Sequence, residues 1–246
     1  MSARFTVLPT PAAVAEAAAD RIVAAARNAI RRRGRCLLAL SGGSMPNLVY
    51  PLLASLPRVG AVDWSRVEFF WGDERAVPPD HPDSNFGLAR SLLLDHLPDL
   101  RPAAVHRMPA DGPDRVVAAA RYEAELGEAF GVRPGRSRPR FDLVWLGMGR
   151  DGHTASLFPG ARAVDERRRW VIPCTAPSES AVAKRMTFTL PLINAARLVL
   201  FVVAGADKAA ALRSVRSGSR ELPAGRVRAR SILWLLDASA AGEASS

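Results

Sequence analysis

The sequence predicts a doubly wound α/β fold, in which helices cover both faces of a mostly parallel, Rossmann-like sheet. Short apolar runs rich in β-branched and aromatic residues recur along the chain, for example "CLLAL" at 36–40, "VEFFW" at 67–71 and "LVLFVVAG" at 198–205. Segments with helical character separate these runs. Continuous apolar strands that alternate with helices are typical of a parallel sheet buried on both faces.

The remaining elements follow in order along the chain. Apolar residues recur every four positions from Val14 to Ile30 and predict an amphipathic first helix. Further strands are predicted at 141–147, 170–174 and 231–236. Further helices are predicted at 46–56, 84–97, 114–129 and 207–216, and an exposed loop at 131–140.

Length and composition fit a single globular domain that spans residues 1–246. Of the 246 residues 48% are hydrophobic and 24% are charged, with no repeat or low-complexity linker. No apolar run approaches the roughly 20 residues of a membrane span, and the N-terminus lacks a secretory signal pattern. We therefore expect a cytoplasmic protein with no membrane partner. Cys36 and Cys174 lie in apolar segments and are expected to be buried rather than disulfide-bonded.

The formal net charge of +10 raises the question of nucleic-acid binding. The arginines are dispersed, aromatic residues make up only 7% of the chain, and no basic run alternates with aromatic side chains that could stack on bases. Nucleic acid is therefore not an expected partner. Of 34 basic residues only Lys184 and Lys208 are lysines. This ratio indicates a bias towards arginine, so a lysine that remains could have a role that a planar guanidinium cannot fill.

The "SGGSMP" loop follows the strand at 36–40 and precedes a predicted helix. In a parallel sheet, ligands bind beyond the carboxyl ends of the strands, where loops lead into helix N-termini. Gly42 and Gly43 would let the backbone approach a ligand closely. Ser41 and Ser44 add hydroxyl donors, and the free N–H groups at the helix start attract an anion. The loop has neither the dinucleotide nor the P-loop pattern, so it fits a single phosphate or, alternatively, a plain serine-capped turn.

Two further predicted strands end in loops rich in polar residues. The loop "GDERAVPPDHPDSN" at 72–85 contains Asp73 and Arg75 between prolines, and "MGRDGHTASLFPG" at 148–160 places His153 at the start of a predicted helix. Loops on a rigid scaffold commonly carry catalytic groups. The three strand ends would together present a base, carboxylates and an anion site to one crevice.

Five ordered motifs resemble the glucosamine-phosphate isomerase and 6-phosphogluconolactonase superfamily, in its lactonase form. They are "SGGSMP", "WGDERAVPPDHPDSN", "GMGRDGHTASLFPG", "RMTFTLPLIN" and "VAGADKAAAL". The resemblance implies hydrolysis of 6-phospho-D-glucono-1,5-lactone to 6-phospho-D-gluconate in the oxidative pentose phosphate pathway. Most members of this superfamily need no metal, so we expect neither a metal nor another cofactor. The expected partner is a sugar-phosphate lactone, and the expected state is a monomer.

The resemblance also implies roles for individual residues. It places the base that takes a proton from water at His153, which suits an imidazole whose ordinary pKa of about 6.5 leaves much of it neutral at physiological pH. Asp73 corresponds to a carboxylate near the reacting end of the sugar. Arg185 and Lys208 correspond to cations that reach the sugar phosphate. Arg75 is expected to serve either the phosphate or the oxyanion.

Other functions and roles remain open at this point. An aminosugar-phosphate isomerase would need a glutamate five positions beyond the motif histidine, where this chain has Phe158. A non-catalytic sugar-phosphate sensor would not require both Asp73 and His153. Asp151 lies between two glycines and could simply shape the turn. Met45 replaces the threonine usual in the loop of the superfamily, which removes a hydroxyl donor to the phosphate.

Overall fold

The computed structural model describes residues 3–133 and 135–243. The strands are β1 (Ala3–Leu8), β2 (Cys36–Leu40), β3 (Val67–Trp71), β4 (Asp73–Arg75), β5 (Leu143–Leu146), β6 (Val171–Thr175), β7 (Lys184–Phe188), β8 (Val199–Val203) and β9 (Ile232–Asp237). The α-helices are α1 (Pro11–Arg33), α2 (Pro46–Ala54), α3 (Asn85–Leu92), α4 (Arg115–Phe130), α5 (Leu190–Ala195), α6 (Ala209–Arg216) and α7 (Ala238–Ala241).

Six strands form one sheet in the order β1-β9-β8-β5-β2-β3, and each neighbouring pair is parallel. Successive residues of a strand point to opposite faces of a sheet. In β2, Leu38 packs into a core shared with α1 and α2, whereas Ala39 packs into a second core shared with α4 and α6. Burial on both faces explains the continuous apolar runs in the sequence. The predicted doubly wound α/β fold is confirmed.

The first helix shows how local sequence determines the ends of an element. The hydroxyl of Thr10 accepts a hydrogen bond from the backbone N–H of Ala13 at 3.2 Å, and Pro11 occupies the first turn, where no N–H partner is lost. Gly34 ends the helix in the left-handed conformation, with a φ of 78°. The apolar face predicted from the four-residue repeat is buried against the sheet and α2.

A second, antiparallel sheet in the order β4-β7-β6 was not predicted. Asp73 is opposite Thr187 and Arg75 is opposite Arg185 across β4 and β7. The segment predicted as a strand at 170–174 forms β6 here and not a strand of the parallel sheet. Strand β4 consists of three charged residues, and β7 begins with two cations, so neither shows the apolar run that indicates a buried strand.

Two predicted helical segments are also wrong in part. The helix predicted at 84–97 ends at Leu92, and a short 3-10 turn follows it. No helix starts at His153. The loop there is irregular because Gly152 and Ala155 have φ values of 77° and 48°, which an α-helix does not contain.

Smaller features of the chain can be compared with their predictions. Cys36 is buried, as expected, whereas Cys174 on β6 is partly exposed, and both are free thiols. The loop predicted at 131–140 is mostly exposed in its described residues, and Pro134 lies outside them. No helix in the described ranges is both long enough and apolar enough to cross a membrane.

Candidate active site

One cavity of about 230 Å³ lies at the carboxyl edge of the parallel sheet, where loops follow β2, β5 and β8. The small sheet forms part of its wall through β4 and β7. The structure brings all the sequence-predicted site residues to this cavity: Ser41, Gly42, Gly43, Ser44, Asp73, Arg75, His153, Arg185 and Lys208. Side chains distant in sequence can therefore contact one small ligand.

The "SGGSMP" loop offers backbone amides to the cavity. Gly43 has a φ of 93°, and a Cβ at Gly42 would lie 1.7 Å from Oδ1 of Asn85, so both positions require glycine. Met45 precedes α2 and no serine side chain caps this helix, so the alternative of a serine-capped turn is wrong. Among the described residues, no group accepts a hydrogen bond from the N–H of Gly43, Ser44 or Met45. These amides lie at the positive end of a helix dipole and can bind an anion.

His153 is oriented by the carboxylate two residues before it. Its Nδ1 lies 2.6 Å from Oδ1 of Asp151, and the same oxygen accepts the backbone N–H of His153 at 3.1 Å. Partial burial tends to raise the pKa of Asp151, but the hydrogen bonds and positive potential of His153 outweigh it and hold this pKa below its usual range. An ionised Asp151 keeps a proton on Nδ1, which leaves the lone pair on Nε2.

In the loop that carries His153, the imidazole lies very close to the backbone of Gly149. A Cβ on Gly149 would lie 2.1 Å from Nδ1 of His153. The backbone N–H of Gly149 donates to the carbonyl of His153 at 2.9 Å and closes the turn. The hydroxyl of Thr154 donates to the carbonyl of Gly147 at 2.8 Å and fixes the loop to the end of β5. The imidazole is therefore held at the cavity with one-third of its side chain, 33%, exposed.

Asp73 connects the small sheet to the His153 loop. One of its carboxylate oxygens accepts the hydroxyl of buried Ser156 at 2.5 Å, and the other lies 3.5 Å from Nδ2 of Asn85. The backbone N–H of Ser156 in turn donates to the hydroxyl of Thr187, which is opposite Asp73 in the sheet. Among the described residues Asp73 makes no bond to His153, so the imidazole is oriented by Asp151 and not by Asp73.

Asn85 is a cavity residue that sequence reasoning missed. Its Oδ1 accepts a hydrogen bond from Nη1 of Arg75, and its Nδ2 donates to the carbonyl of Asp73 at 2.9 Å. The buried carboxylate of Glu74 accepts three backbone N–H groups, one from β4 and two from the start of α3, while its burial raises the pKa of this group. The density of polar residues at 72–85 was the available signal, but spacing alone does not show which of them turn inward.

Two arginines lie opposite each other on the small sheet. Arg75 and Arg185 are paired in register on β4 and β7, so their side chains project from the same face. Burial lowers the pKa of the Arg185 guanidinium, Asp73 opposes this change, and the positive charge of Arg75 adds to it. Nε of Arg185 donates to the carbonyl of Val182 at 3.0 Å. Like charges directly opposite on a sheet are unfavourable, and an anion between them would relieve their repulsion.

Lys208 reaches the cavity from the third strand end. It closes the 3-10 turn Ala206–Lys208 after β8, and its Nζ donates to the carboxylate of Asp207 at 2.7 Å, which holds the pKa of Asp207 below its usual range. With the two arginines it gives the cavity a strongly positive wall. Within residues 3–133 and 135–243, no group of three or more His, Cys, Asp or Glu side chains could hold a metal ion.

Phe158 lies between the imidazole and one of these cations. Its ring centroid is 4.7 Å from that of His153 and 5.8 Å from the guanidinium carbon of Arg185. The ring is almost completely buried. The position that would carry a carboxylate in an isomerase is therefore occupied by an apolar contact to the imidazole.

Comparisons with known proteins agree with this geometry. Residues 9–234 match the family described as glucosamine-6-phosphate isomerases/6-phosphogluconolactonase. The chain belongs to this family. Within the family it is similar to the 6-phosphogluconolactonase of Nostoc sp., with 40% identity over 249 residues that cover 100% of both chains. It is 42% identical over 237 residues to that of Streptomyces coelicolor, which covers 94% of this chain and 90% of the relative.

A solved structure of the family has the same fold. The 6-phosphogluconolactonase from Trypanosoma cruzi superimposes with a TM-score of 0.86 and 30% sequence identity, over 100% of this chain and 98% of that chain. The similarity covers both the parallel sheet and the small sheet, because it extends over the whole length. The resemblance seen in the five motifs is thus confirmed at the level of the family.

Proposed function

We propose that the chain hydrolyses 6-phospho-D-glucono-1,5-lactone to 6-phospho-D-gluconate, a step of the oxidative pentose phosphate pathway. Relatives named 6-phosphogluconolactonase that match the whole chain support this reaction. The observation that carries the proposal is that His153, held by Asp151, lines one cavity together with three cations. A phosphorylated lactone has an anionic end and an electrophilic carbonyl, which this arrangement fits. A monomeric state and a cytoplasmic location, both expected from the sequence, belong to the same proposal.

The phosphate is proposed to lie against Arg185, Lys208 and the amides of Gly43 and Ser44. Hydrogen bonds between charged groups and phosphate typically contribute about 1.5–3 kcal/mol each. Partial burial of Arg185 strengthens its attraction to an anion, because the local dielectric constant is lower than that of water. The free amides of the loop add neutral donors that need no reorganisation. This end of the cavity therefore contributes to the affinity for the phosphorylated substrate.

The lactone carbonyl is proposed to lie near His153. Nε2 takes a proton from a water molecule as the oxygen of that water attacks C1, and negative charge develops on the carbonyl oxygen. Collapse of this adduct breaks the bond between C1 and the ring oxygen, and the imidazolium returns its proton to the ring oxygen. Asp151 stabilises the imidazolium between the two transfers. A lactone is an activated ester, so no covalent enzyme intermediate is required.

Asp73 is proposed to hold the sugar between these two ends, and Arg75 is proposed to join the phosphate end. One oxygen of Asp73 is occupied by Ser156, so the remaining acceptor capacity can hold a substrate hydroxyl or the attacking water. Arg75 is fixed by the carbonyl of Asp83 at 2.8 Å. Because Arg75 lies opposite Arg185 in the sheet, we assign it to the phosphate rather than to the oxyanion.

Isomerisation of an aminosugar phosphate, the other reaction in the family description, is not favoured by this site. That reaction moves a proton between adjacent carbons and opens a ring, and it would need a carboxylate at the position of Phe158. The buried ring packs on His153 and offers no acidic or basic group there. The carboxylate that contacts the imidazole in this chain is Asp151, on the same turn.

The test compares two substrates. Purified protein without added metal should open the lactone faster than the spontaneous reaction and should leave glucosamine 6-phosphate unchanged. Turnover of glucosamine 6-phosphate without lactone hydrolysis would replace the proposal with isomerisation. Binding of 6-phosphogluconate without acceleration of either reaction would show a sensor instead of an enzyme.

A further inference from the structure

A second cavity, which we call the arginine cleft, lies at the amino-terminal edge of the parallel sheet, opposite the candidate active site. Its volume is about 390 Å³, larger than the cavity at the carboxyl edge. One wall is a face of α1, and the other consists of residues that lead into β5, β8 and β9. The described lining of the cleft includes one carboxylate, Asp142, and five arginines: Arg21, Arg32, Arg33, Arg197 and Arg230.

The only carboxylate of the described lining, Asp142, is shared by two of its five arginines. Oδ1 of Asp142 lies 2.6 Å from Nη2 of Arg33 and 3.3 Å from Nε of Arg197, the latter without hydrogen-bond geometry. Burial lowers the pKa of Arg197, and the positive charges of Arg33, Arg140 and Arg230 lower it further. One negative charge thus fails to balance the cluster around Arg197.

Three more guanidinium groups of the cleft have no carboxylate partner. Within the described part of the chain, Arg21 and Arg230 form no ion pair, and Arg32 donates only to the side-chain oxygen of Asn28 at 3.1 Å. Arg21, Asn28 and Arg32 lie on one helical face with small Ala24 between them, which leaves space between the cations. The cleft therefore holds a concentrated positive charge in a concave surface.

A concave site lined by like charges attracts counter-ions strongly, because its walls focus the field and an anion relieves the mutual repulsion. Guanidinium groups bind phosphate oxygens through two parallel N–H donors, so several arginines around one cavity fit phosphate chemistry better than a single carboxylate ligand. None of the described residues that line the cleft is aromatic, so a nucleic-acid base would find no stacking partner among them. The arginines lie on both walls, which favours a ligand with separated anionic groups.

We propose that the arginine cleft binds a small anion that carries two or more phosphate groups. The site is distinct from the candidate active site, because the two cavities lie at opposite edges of the sheet and share no lining residue. Arg21 and Arg230 contact the ligand from the two walls, and Arg32 and Arg197 contribute the remaining charge.

Calorimetric titration with inorganic tripolyphosphate at constant ionic strength tests the proposal. The double variant Arg21→Gln/Arg230→Gln is expected to bind at least about tenfold more weakly than the wild type, since it removes charged hydrogen bonds to phosphate from both walls. The matched control Arg27→Gln/Arg121→Gln removes the same charge from exposed residues outside the cleft and should bind within about twofold of wild type.

Tripolyphosphate could also enter the positive cavity at the carboxyl edge, so Arg185→Gln is titrated in parallel. Retained binding in Arg185→Gln and lost binding in Arg21→Gln/Arg230→Gln support the cleft. The reverse pattern, equal loss in both double variants, or no binding by the wild type overturns the proposal. Arg21 and Arg230 make no contact with the candidate active site, so Arg21→Gln/Arg230→Gln should keep the wild-type rate of lactone hydrolysis, which also shows that it is folded.

Discussion

The two sheets of the molecule contribute different parts of the candidate active site. The parallel sheet supplies three segments from its strand ends: the "SGGSMP" loop and the loop of His153, both shaped by close approaches at glycines, and the turn that carries Lys208. The small antiparallel sheet supplies charged side chains from its strands, Asp73, Arg75 and Arg185. Under the proposed function, proton transfer depends on His153 of the parallel sheet, whereas the small sheet contributes to binding and positioning, together with Lys208 and the loop amides of the parallel sheet. Substitutions of His153 and of Arg185 should therefore change different kinetic constants.

The largest effect is expected on the parallel-sheet side, for His153→Ala. Loss of the general base should lower kcat by about 10²-fold or more and leave KM nearly unchanged, because the phosphate end of the cavity is intact. The measurement is lactone hydrolysis corrected for the spontaneous rate. His81→Ala is the control, since His81 is an exposed histidine that does not line the cavity. Near-normal turnover in His153→Ala would remove this imidazole from the role of base.

The complementary substitution on the small sheet is Arg185→Gln. It should raise KM by about 10–100-fold, as expected for loss of a charged hydrogen bond to phosphate, and change kcat by less than about threefold. Lys184→Gln removes a positive charge from the adjacent, exposed position of β7 and serves as control. If Arg185→Gln lowered kcat as strongly as it raised KM, the proposed division of labour between the sheets would be wrong.

The difference between the two sheets also explains which parts of the fold and of the site the sequence could predict. Strands such as β2 are buried on both faces, so five consecutive apolar residues and the glycine-rich loop after them are visible without a structure. Strand β4 is three charged residues paired with a segment more than 100 positions away, and no local pattern encodes that register. The Asp151–His153 contact depends on a turn that only the backbone conformation reveals, because residues two apart meet neither on a helix nor across a strand.

The connection from the "SGGSMP" loop to the small sheet can be tested through Gly42 and Asn85, because the Asn85 side chain at the start of α3 lies close to Gly42 and hydrogen-bonds Arg75 on β4. Gly42→Ala should lower kcat/KM by about tenfold, because its Cβ would displace the amide that holds Arg75. Asn85→Ala should lower kcat/KM by a similar factor, because it removes the hydrogen bond to Arg75. The double variant should have a kcat/KM only slightly below that of Asn85→Ala, because the added Cβ then has no Asn85 side chain to clash with. Strictly additive losses in a double-mutant cycle would show that the two residues act independently.

Stability at the edge of the parallel sheet should depend on pH through His106. Its ring stacks on Phe70 with centroids 4.3 Å apart, and its Nδ1 lies 2.7 Å from Oε1 of Glu125. Burial lowers the pKa of His106, but hydrogen bonds to Glu125 and Glu68 outweigh it and raise the pKa to about 9. A histidine whose pKa rises on folding stabilises the folded protein. This stabilisation is complete at pH values below the unfolded pKa of 6.5, and it is lost as the pH rises through about 9.

His106→Gln should therefore reduce the free energy of unfolding by about 1–2 kcal/mol below about pH 6, after allowance for solvent screening, and by much less at about pH 10. Urea unfolding at the two pH values measures this difference. A destabilisation that is equal at both values would indicate lost packing on Phe70 and no contribution from the charge.

The smallest kinetic effect is expected for Met45→Thr, in which the parallel-sheet loop gains a hydroxyl near the phosphate end. Met45 both lines the cavity and is buried in the core, with only 8% of its surface exposed. Threonine should therefore lower KM by about two- to threefold while it reduces the free energy of unfolding by about 1–3 kcal/mol through lost packing. Met45→Ala loses the same packing without adding a donor, so its KM should not fall. Equal KM values in the two variants would mean that the loop amides and Ser44 already satisfy the phosphate, and that Met45 is retained for the core.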